Sequence, residues 1–486
     1  MVSRRDQRHP RKPRRRWLIF ALVLVVVAGV AGVAQYRYDA LKDAGRRLGI
    51  LAPARSGPAE VAPPEGLDVP VQPDARPVAA PLGGGDPSAS RVAAALRPYF
   101  PKRALGRNVR LLVTDRTGRV LFEKGRGPVT PASTTKLLTS TAALDVMDPQ
   151  TRFATTVRRM PGTHRIVLVG GGDPYLASRP PARGTSVYPQ RATTAELAVR
   201  TAAALRGAGV RRVRLSYDDS LFSGPSVDPA WPSTYLPEDV VPPITALWVD
   251  EGKSTGRYAD DPSREAADVF AGQLRKAGIE VVGEAVRRVA PDGARRIAQV
   301  RSAPLGEIVQ HLISVSDNNA AEVVARHVGV AVDGRGSFAG ATAGVRTTLA
   351  RLGVDTTGLR LYDGSGLSRK DRIDPRTIVG VLRVAAGPGH GRLREVVTGL
   401  PIAGFSGSLA ARYESAPEEG LGRVRAKTGT LTGVSALAGI AVDLDGDQLF
   451  FAVMADRIAP VKTLAARQAL DRITAALAAC HCRATP

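Results

Sequence analysis

Residues 17–34 form an uninterrupted apolar run of 18 residues, directly behind Arg14-Arg15-Arg16. A helix of that length spans the hydrocarbon of a bilayer, whereas the apolar stretch of a cleaved leader usually has about 7–15 residues. The arginines hold their end on the cytoplasmic side. This divides the chain before any domain is considered: 1–16 is a basic cytoplasmic tail, 17–37 a single transmembrane anchor, and everything beyond about residue 38 lies outside the cell membrane. A leader cleaved after Gly32 or Ala34 is the alternative, and it also exports the rest. The tail holds eight Lys/Arg against one Asp, within a total of 68 Lys/Arg against 45 Asp/Glu and a formal charge of +23. An exported chain meets anionic wall polymers rather than a genome, so no nucleic-acid partner is expected.

Residues 52–90 are rich in Pro, Ala and Gly, and 38–87 is expected to be a spacer. Order should begin near Ser88, where a capped helix with an apolar face starts. Residues 108–114 and 118–124 alternate around Asp115-Arg116-Thr117 like a hairpin. The 131–147 stretch is helical in composition, with Leu137, Leu138, Ala142, Leu144 and Val146 available for burial. Far downstream, 424–430, 435–443 and 448–455 have strand character, the last two joined by the Asp443–Asp447 turn, and 461–479 reads as a closing helix. Between 160 and 300 lies further material with its own strands (165–169 and 213–217) and a helix (196–207). The expected fold class is α+β: an antiparallel sheet covered by helices, built discontinuously from 88–159 and 301–486 around an inserted region at 160–300.

Three short motifs then stand in order: Ser133-Thr134-Thr135-Lys136 at a helix start, Ser316-Asp317-Asn318 in a helical stretch, and Lys427-Thr428-Gly429 on a strand before a hairpin. Each is common alone; their joint order on these elements is not. Residues three apart on a helix share a face, so the Lys136 amine reaches the Ser133 hydroxyl. Serine needs a base to become a nucleophile, and lysine becomes one only when its neutral form is favoured. Burial and a second cation nearby, for which Lys427 is the candidate, both push that way. The backbone N–H of Ser133 at the helix start is placed to stabilise an oxyanion. The pattern is that of nucleophilic acyl transfer.

The motif set resembles that of the class C, low-molecular-mass penicillin-binding proteins, the D-alanyl-D-alanine carboxypeptidase and endopeptidase family, from about Ser88 to Ala479. Longer segments share the likeness: 169–174 (Val-Gly-Gly-Gly-Asp-Pro), 218–222 (Asp-Asp-Ser-Leu-Phe), 363–369 (Asp-Gly-Ser-Gly-Leu-Ser-Arg) and 400–409. So does the interval of 183 positions between Ser133 and Ser316, where the family carries inserted domains. The resemblance implies a serine β-lactamase/transpeptidase-like fold and roles for particular residues. Ser133 is acylated by the penultimate D-Ala carbonyl, with Lys136 as base, Ser316 returning a proton to the departing D-Ala, and Asn318 on the substrate amide. Lys427, Thr428, Gly429 and Thr430 receive the terminal carboxylate, the backbone N–H groups of Ser133 and Thr430 form the oxyanion hole, and Arg369 stands at the site edge. Peptidoglycan peptides ending in D-Ala-D-Ala are the implied substrates and β-lactams the implied covalent inhibitors. Where some relatives place acidic residues after a Trp-Pro segment to hold a diaminopimelate amine, this chain has 231–239, with Glu238 and Asp239 as stand-ins. A β-lactamase and a non-turnover penicillin-binding sensor or wall anchor are the rivals.

No cofactor or metal is expected: the two cysteines, Cys480 and Cys482, sit one residue apart, the six histidines are scattered, and no His-Glu-x-x-His occurs. Cys480-His481-Cys482 reads as a frayed tail, 170–172 as a tight turn, and Asp443–Asp447 as a hairpin turn rather than a calcium loop.

Overall fold

The structure, a computed structural model, describes residues 85–100 and 103–483. The basic tail, the 17–37 anchor and most of the 38–87 spacer lie outside the described residues; among the described residues no helix is long and apolar enough to cross a membrane.

Two large sheets organise the chain. In the first, β1 (Asn108–Thr114), β2 (Val120–Lys124), β11 (Val424–Leu431), β12 (Val434–Val442) and β13 (Gln448–Asp456) run in the order β11-β12-β13-β1-β2, antiparallel throughout. Alternation along β13 sends Phe450, Ala452 and Met454 into one core and Leu449, Phe451, Val453 and Ala455 into another. With both faces covered, β12 and β13 lose the polar side of the alternation and read as continuous apolar runs. The Ala89–Leu96 and Thr463–Ala478 helices cover one face. The helices Thr135–Val146, Leu305–Val315, Asn318–Asp333, Phe338–Arg351 and Pro375–Ala386 fill the other. Thr135–Val146 is buried on nearly every side. Val146, available for burial by sequence, is half-buried at the C-terminal end of the helix and packs against this core.

The second sheet is mixed: β3 (Ala154–Arg159), β4 (Arg165–Val169), β5 (Arg212–Asp218), β8 (Glu280–Val281), β9 (Val286–Arg287) and β10 (Arg295–Arg301), in the order β10-β3-β4-β5-β8 with β9 also against β5. β6 (Lys253–Ser254) and β7 (Arg257–Tyr258) make a separate ribbon. Helices Thr194–Gly207 and Pro262–Lys276 each link parallel neighbours, as a parallel crossover requires, and pack on the face carrying Ile166, Leu168, Val213 and Leu215. Strand β3, at 154–159, belongs to this sheet although the inserted region was expected to start at 160.

The C-terminus is not the frayed tail expected from Cys480-His481-Cys482. The two cysteines form a disulfide, both are buried, the Ser88 N–H donates to Cys482 O at 2.6 Å, and Arg483 pairs with Asp447 at 3.1 Å. The tail therefore clasps the chain's first described helix to the β12–β13 turn. In that turn Asp443 Oδ1 accepts from the Asp445 and Asp447 N–H groups, as a hairpin turn should.

Candidate active site

Ser133 lies in a 3-10 turn, Ala132–Thr134, that leads into the Thr135–Val146 helix. The residue before it, Ala132, is left-handed at φ 49, a conformation that costs a non-glycine residue about 1–3 kcal/mol and persists only when its surroundings enforce it. Two close approaches do so. A Cβ on Gly366 would stand 1.9 Å from Ala132 O, and one on Gly429 would stand 2.7 Å from Pro131 O. Glycine at both positions lets a loop and strand β11 close onto the turn, leaving Ser133 half-buried above a fully buried Lys136.

The Lys136 amine sits 3.0 Å from Ser133 Oγ, 2.7 Å from Asn318 Oδ1 and 2.8 Å from Ser365 O. Two of these partners only accept. A neutral amine, with two N–H groups and one lone pair, satisfies them and keeps its lone pair for the Ser133 hydroxyl. Burial lowers Lys136 to about 8, against the pull of the Glu322, Asp363 and Asp317 charges. Of the two causes expected, burial is thus the main one, and Lys427 is not among those acting on Lys136. The repulsion between the amines weighs on Lys427, pushed well down by its own burial and by the Lys136 and Arg412 charges. Lys427 Nζ donates to Thr428 O at 2.9 Å, and the Thr428 hydroxyl meets Ser408 Oγ at 2.9 Å. Thr430 lies half-buried two residues further along β11.

Ser316-Asp317-Asn318 is a break between helices rather than a helix interior. Ser316, at φ 64 and ψ 41, ends Leu305–Val315; Asp317 caps the next helix by accepting from the Ala320 N–H at 3.0 Å. The left-handed turn brings Asn318 against Lys136. Arg369 is exposed and donates to Thr432 O at 2.7 Å, which ties its loop to the β11–β12 turn beside Thr430.

The residues that hold this arrangement had no role assigned to them from sequence, although Asp363 and Trp231 head segments that carry the family likeness. Glu322, buried one helical turn after Asn318, accepts from the Gly364 N–H at 3.0 Å and the Ser365 N–H at 2.8 Å, which fixes the carbonyl that Lys136 uses. Burial and the Asp363 charge raise Glu322 to about 8. Asp363 accepts from Gly366 N, Ser368 N and the Trp231 indole, and burial beside it pushes Asp371 well up. The i+4 spacing of Glu322 from Asn318 was the available signal. Trp231 stood only as the start of the 231–239 segment, and nothing local to it, Tyr175 or Tyr258 pointed to their partners Asp363, Asp317 and Asn319, which are far away in sequence. Asp239 pairs with Arg257 at 2.8 Å and accepts from the Tyr258 N–H, while Glu238 is exposed. Among the described residues no group of His, Cys, Asp and Glu is arranged to hold a metal ion.

The profile of the D-Ala-D-Ala carboxypeptidase 3 (S13) family matches residues 92–258 and 251–477. The chain is 34% identical over 476 residues to carboxypeptidase DacB of Mycolicibacterium smegmatis, covering 96% of each. It is 35% identical over 405 residues to a carboxypeptidase of Mycobacterium tuberculosis, covering 82% of this chain and 85% of that one. The crystal structure of penicillin-binding protein 4 from Haemophilus influenzae has the same fold, with a TM-score of 0.65 at 20% identity, over 79% of this chain and 98% of that one. Family profile, relatives over nearly full length and shared fold agree with the order and placement of the three motifs, and the chain belongs to the D-Ala-D-Ala carboxypeptidase 3 (S13) family, within the class C low-molecular-mass penicillin-binding proteins.

Proposed function

We propose that this chain is a serine-type D-Ala-D-Ala carboxypeptidase acting on peptidoglycan stem peptides, with endopeptidase cleavage of cross-links as a second use of the same site. The observation that carries the reading is the Lys136 amine 3.0 Å from Ser133 Oγ, with acceptors for its two remaining hydrogens. Ser133 Oγ attacks the penultimate D-Ala carbonyl carbon and its proton passes to Lys136 Nζ. The oxyanion is held by the Ser133 and Thr430 backbone N–H groups, a placement supported by the close approach of β11 to the Ser133 turn. The C–N bond then breaks, and the leaving D-Ala amine takes a proton through Ser316. Water hydrolyses the ester and restores Ser133. Asn318 orients the substrate amide, while Lys427, Thr428, Gly429 and Thr430 bind the terminal carboxylate, with Arg369 at the rim. On binding, that carboxylate stabilises the charged form of Lys427.

β-Lactams are inhibitors that acylate the same serine. A structure of the Haemophilus influenzae protein in complex with a β-lactam supports this assignment. Residues 17–37 anchor the protein with residues 1–16 in the cytoplasm and the catalytic domain outside; release of the protein from membranes by an alkaline wash would rule the anchor out. The defining experiment compares wild type with Ser133→Ala using a fluorescent penicillin and D-Ala release from a D-Ala-D-Ala peptide. Labelling and release are both expected for wild type only. Absence of labelling in folded wild type overturns the reading.

A further inference from the structure

The inserted sheet has one covered and one open face. Its two helices pack on the Ile166 and Leu168 side, so the residues alternating with these point away from them. Arginines dominate that open face. Arg165 on β4 stands directly beside Arg214 on parallel β5, and Arg158 on β3 directly opposite Arg296 on β10. The β3–β4 register places Arg158 on the same face through its partner Val167. Like charges side by side on adjacent strands destabilise a sheet unless something between them is negative. Nothing in the described chain supplies it. Of the nearby acids, Glu280 pairs with Arg212 and Glu284 with Arg264. Arg158, Arg165, Arg214, Arg288 and Arg296 have no carboxylate partner among the described residues, and Arg158 Nε is buried without a hydrogen bond. Arg165, Arg214 and Arg288 rim a cavity of about 640 Å3 whose floor includes Val167 and Val282, and the carboxylate of Glu284, which also lines it, is held by Arg264.

We propose that this open face binds a phosphate-bearing anionic polymer of the cell envelope, with phosphates on Arg165, Arg214 and Arg288, the strand continuing over Arg158 and Arg296, and its polyol or sugar backbone on the apolar floor. Guanidinium forks match phosphate oxygens two at a time, and strands about 4.8 Å apart present them in a row across the sheet. The concavity favours a strand lying in it over a flat lipid surface. The site is separate from Ser133 and gives the enzyme a hold on the wall independent of its peptide substrate.

The test uses the full chain in detergent micelles, fluorescent long-chain polyphosphate as probe, and Arg165→Glu/Arg214→Glu against a control of equal charge change, Arg394→Glu/Arg467→Glu, at exposed positions of the catalytic domain. Affinity is expected to fall about tenfold or more only in the first pair, with a shallower salt dependence and unchanged penicillin labelling. Equal loss in both pairs means binding by net charge alone and overturns the site. Equal affinity for polyglutamate overturns the phosphate assignment. Binding to anionic phospholipid vesicles that polyphosphate does not compete away overturns the polymer in favour of a membrane.

Discussion

The core around the Thr135–Val146 helix and the core of the inserted sheet handle charge in opposite ways. Around the first, Lys136, Glu322, Arg326, Asp363, Asp371 and Lys427 are all buried. In the second, Val157, Ile166, Leu168 and Leu215 of the sheet pack with Phe270 of the Pro262–Lys276 helix, and no arginine of the sheet enters that core. Burying an ionisable group costs several kcal/mol unless partners repay it, so charge inside a core needs a reason. Around Ser133 the proposed acyl transfer supplies that reason: burial there lowers the proton affinity of Lys136. The apolar core of the inserted sheet shows how the same chain packs where no buried proton affinity has to be set.

This contrast can be broken experimentally. The largest effect is expected for Ser133→Ala, with turnover down by a factor on the order of 10^4 or more and no change in melting temperature; substantial residual D-Ala release would remove Ser133 as nucleophile. Phe270→Ala in the inserted core should cost about 3–5 kcal/mol in denaturant unfolding while leaving penicillin acylation of the folded protein unchanged. A slowed acylation at full stability would mean that the two cores are not separable in role. Lys427→Ala should lower kcat/KM by about 10- to 100-fold through loss of a charge-assisted contact to the carboxylate. A peptide amidated at its C-terminus should feel that substitution much less.

The smallest effects are those of pH. Only the neutral Lys136 amine takes a proton, so kcat/KM should rise with pH through about 8 and level off above. Glu322→Gln removes the charge that Glu322 gains as pH rises through about 8 and that favours protonated Lys136, so the rise should be complete at lower pH. An unmoved profile would assign Glu322 to the Gly364–Ser365 backbone alone. His327 provides a stability counterpart. Stacked on Phe153 and donating to Gly172 O, it is buried and lowered to about 4. The unfolded chain binds that proton first, so stability present above about pH 6.5 is lost progressively as pH falls toward 4. His327→Gln should flatten this part of the acid-unfolding curve.

Strand alternation at 108–114 and the Ser133–Lys136 spacing were legible because a period of two or of three to four residues is written in adjacent letters, and β12 and β13 were legible as short apolar runs flanking the Asp443–Asp447 turn. The α+β architecture followed from their order. Less legible was the helix break at Ser316: composition there is helical, and only packing against Lys136 and the cap at Asp317 shows where the helix stops. The C-terminal clasp was missed because its partners, Ser88 and Asp447, are distant or unremarkable in sequence.

By itself the sequence determined which groups are available for acyl transfer, in what order, and on which kinds of element, because helix and strand periodicities act over a few residues. Tertiary structure alone decided what those groups are. Burial lowers the proton affinity of Lys136, the Ser365 carbonyl and Asn318 accept its hydrogens, and Trp231 and Tyr175 of the inserted region hold Asp363 and Asp317 in place. Desolvation and hydrogen-bond geometry depend on every neighbour in space, and those neighbours are scattered across more than two hundred positions of chain.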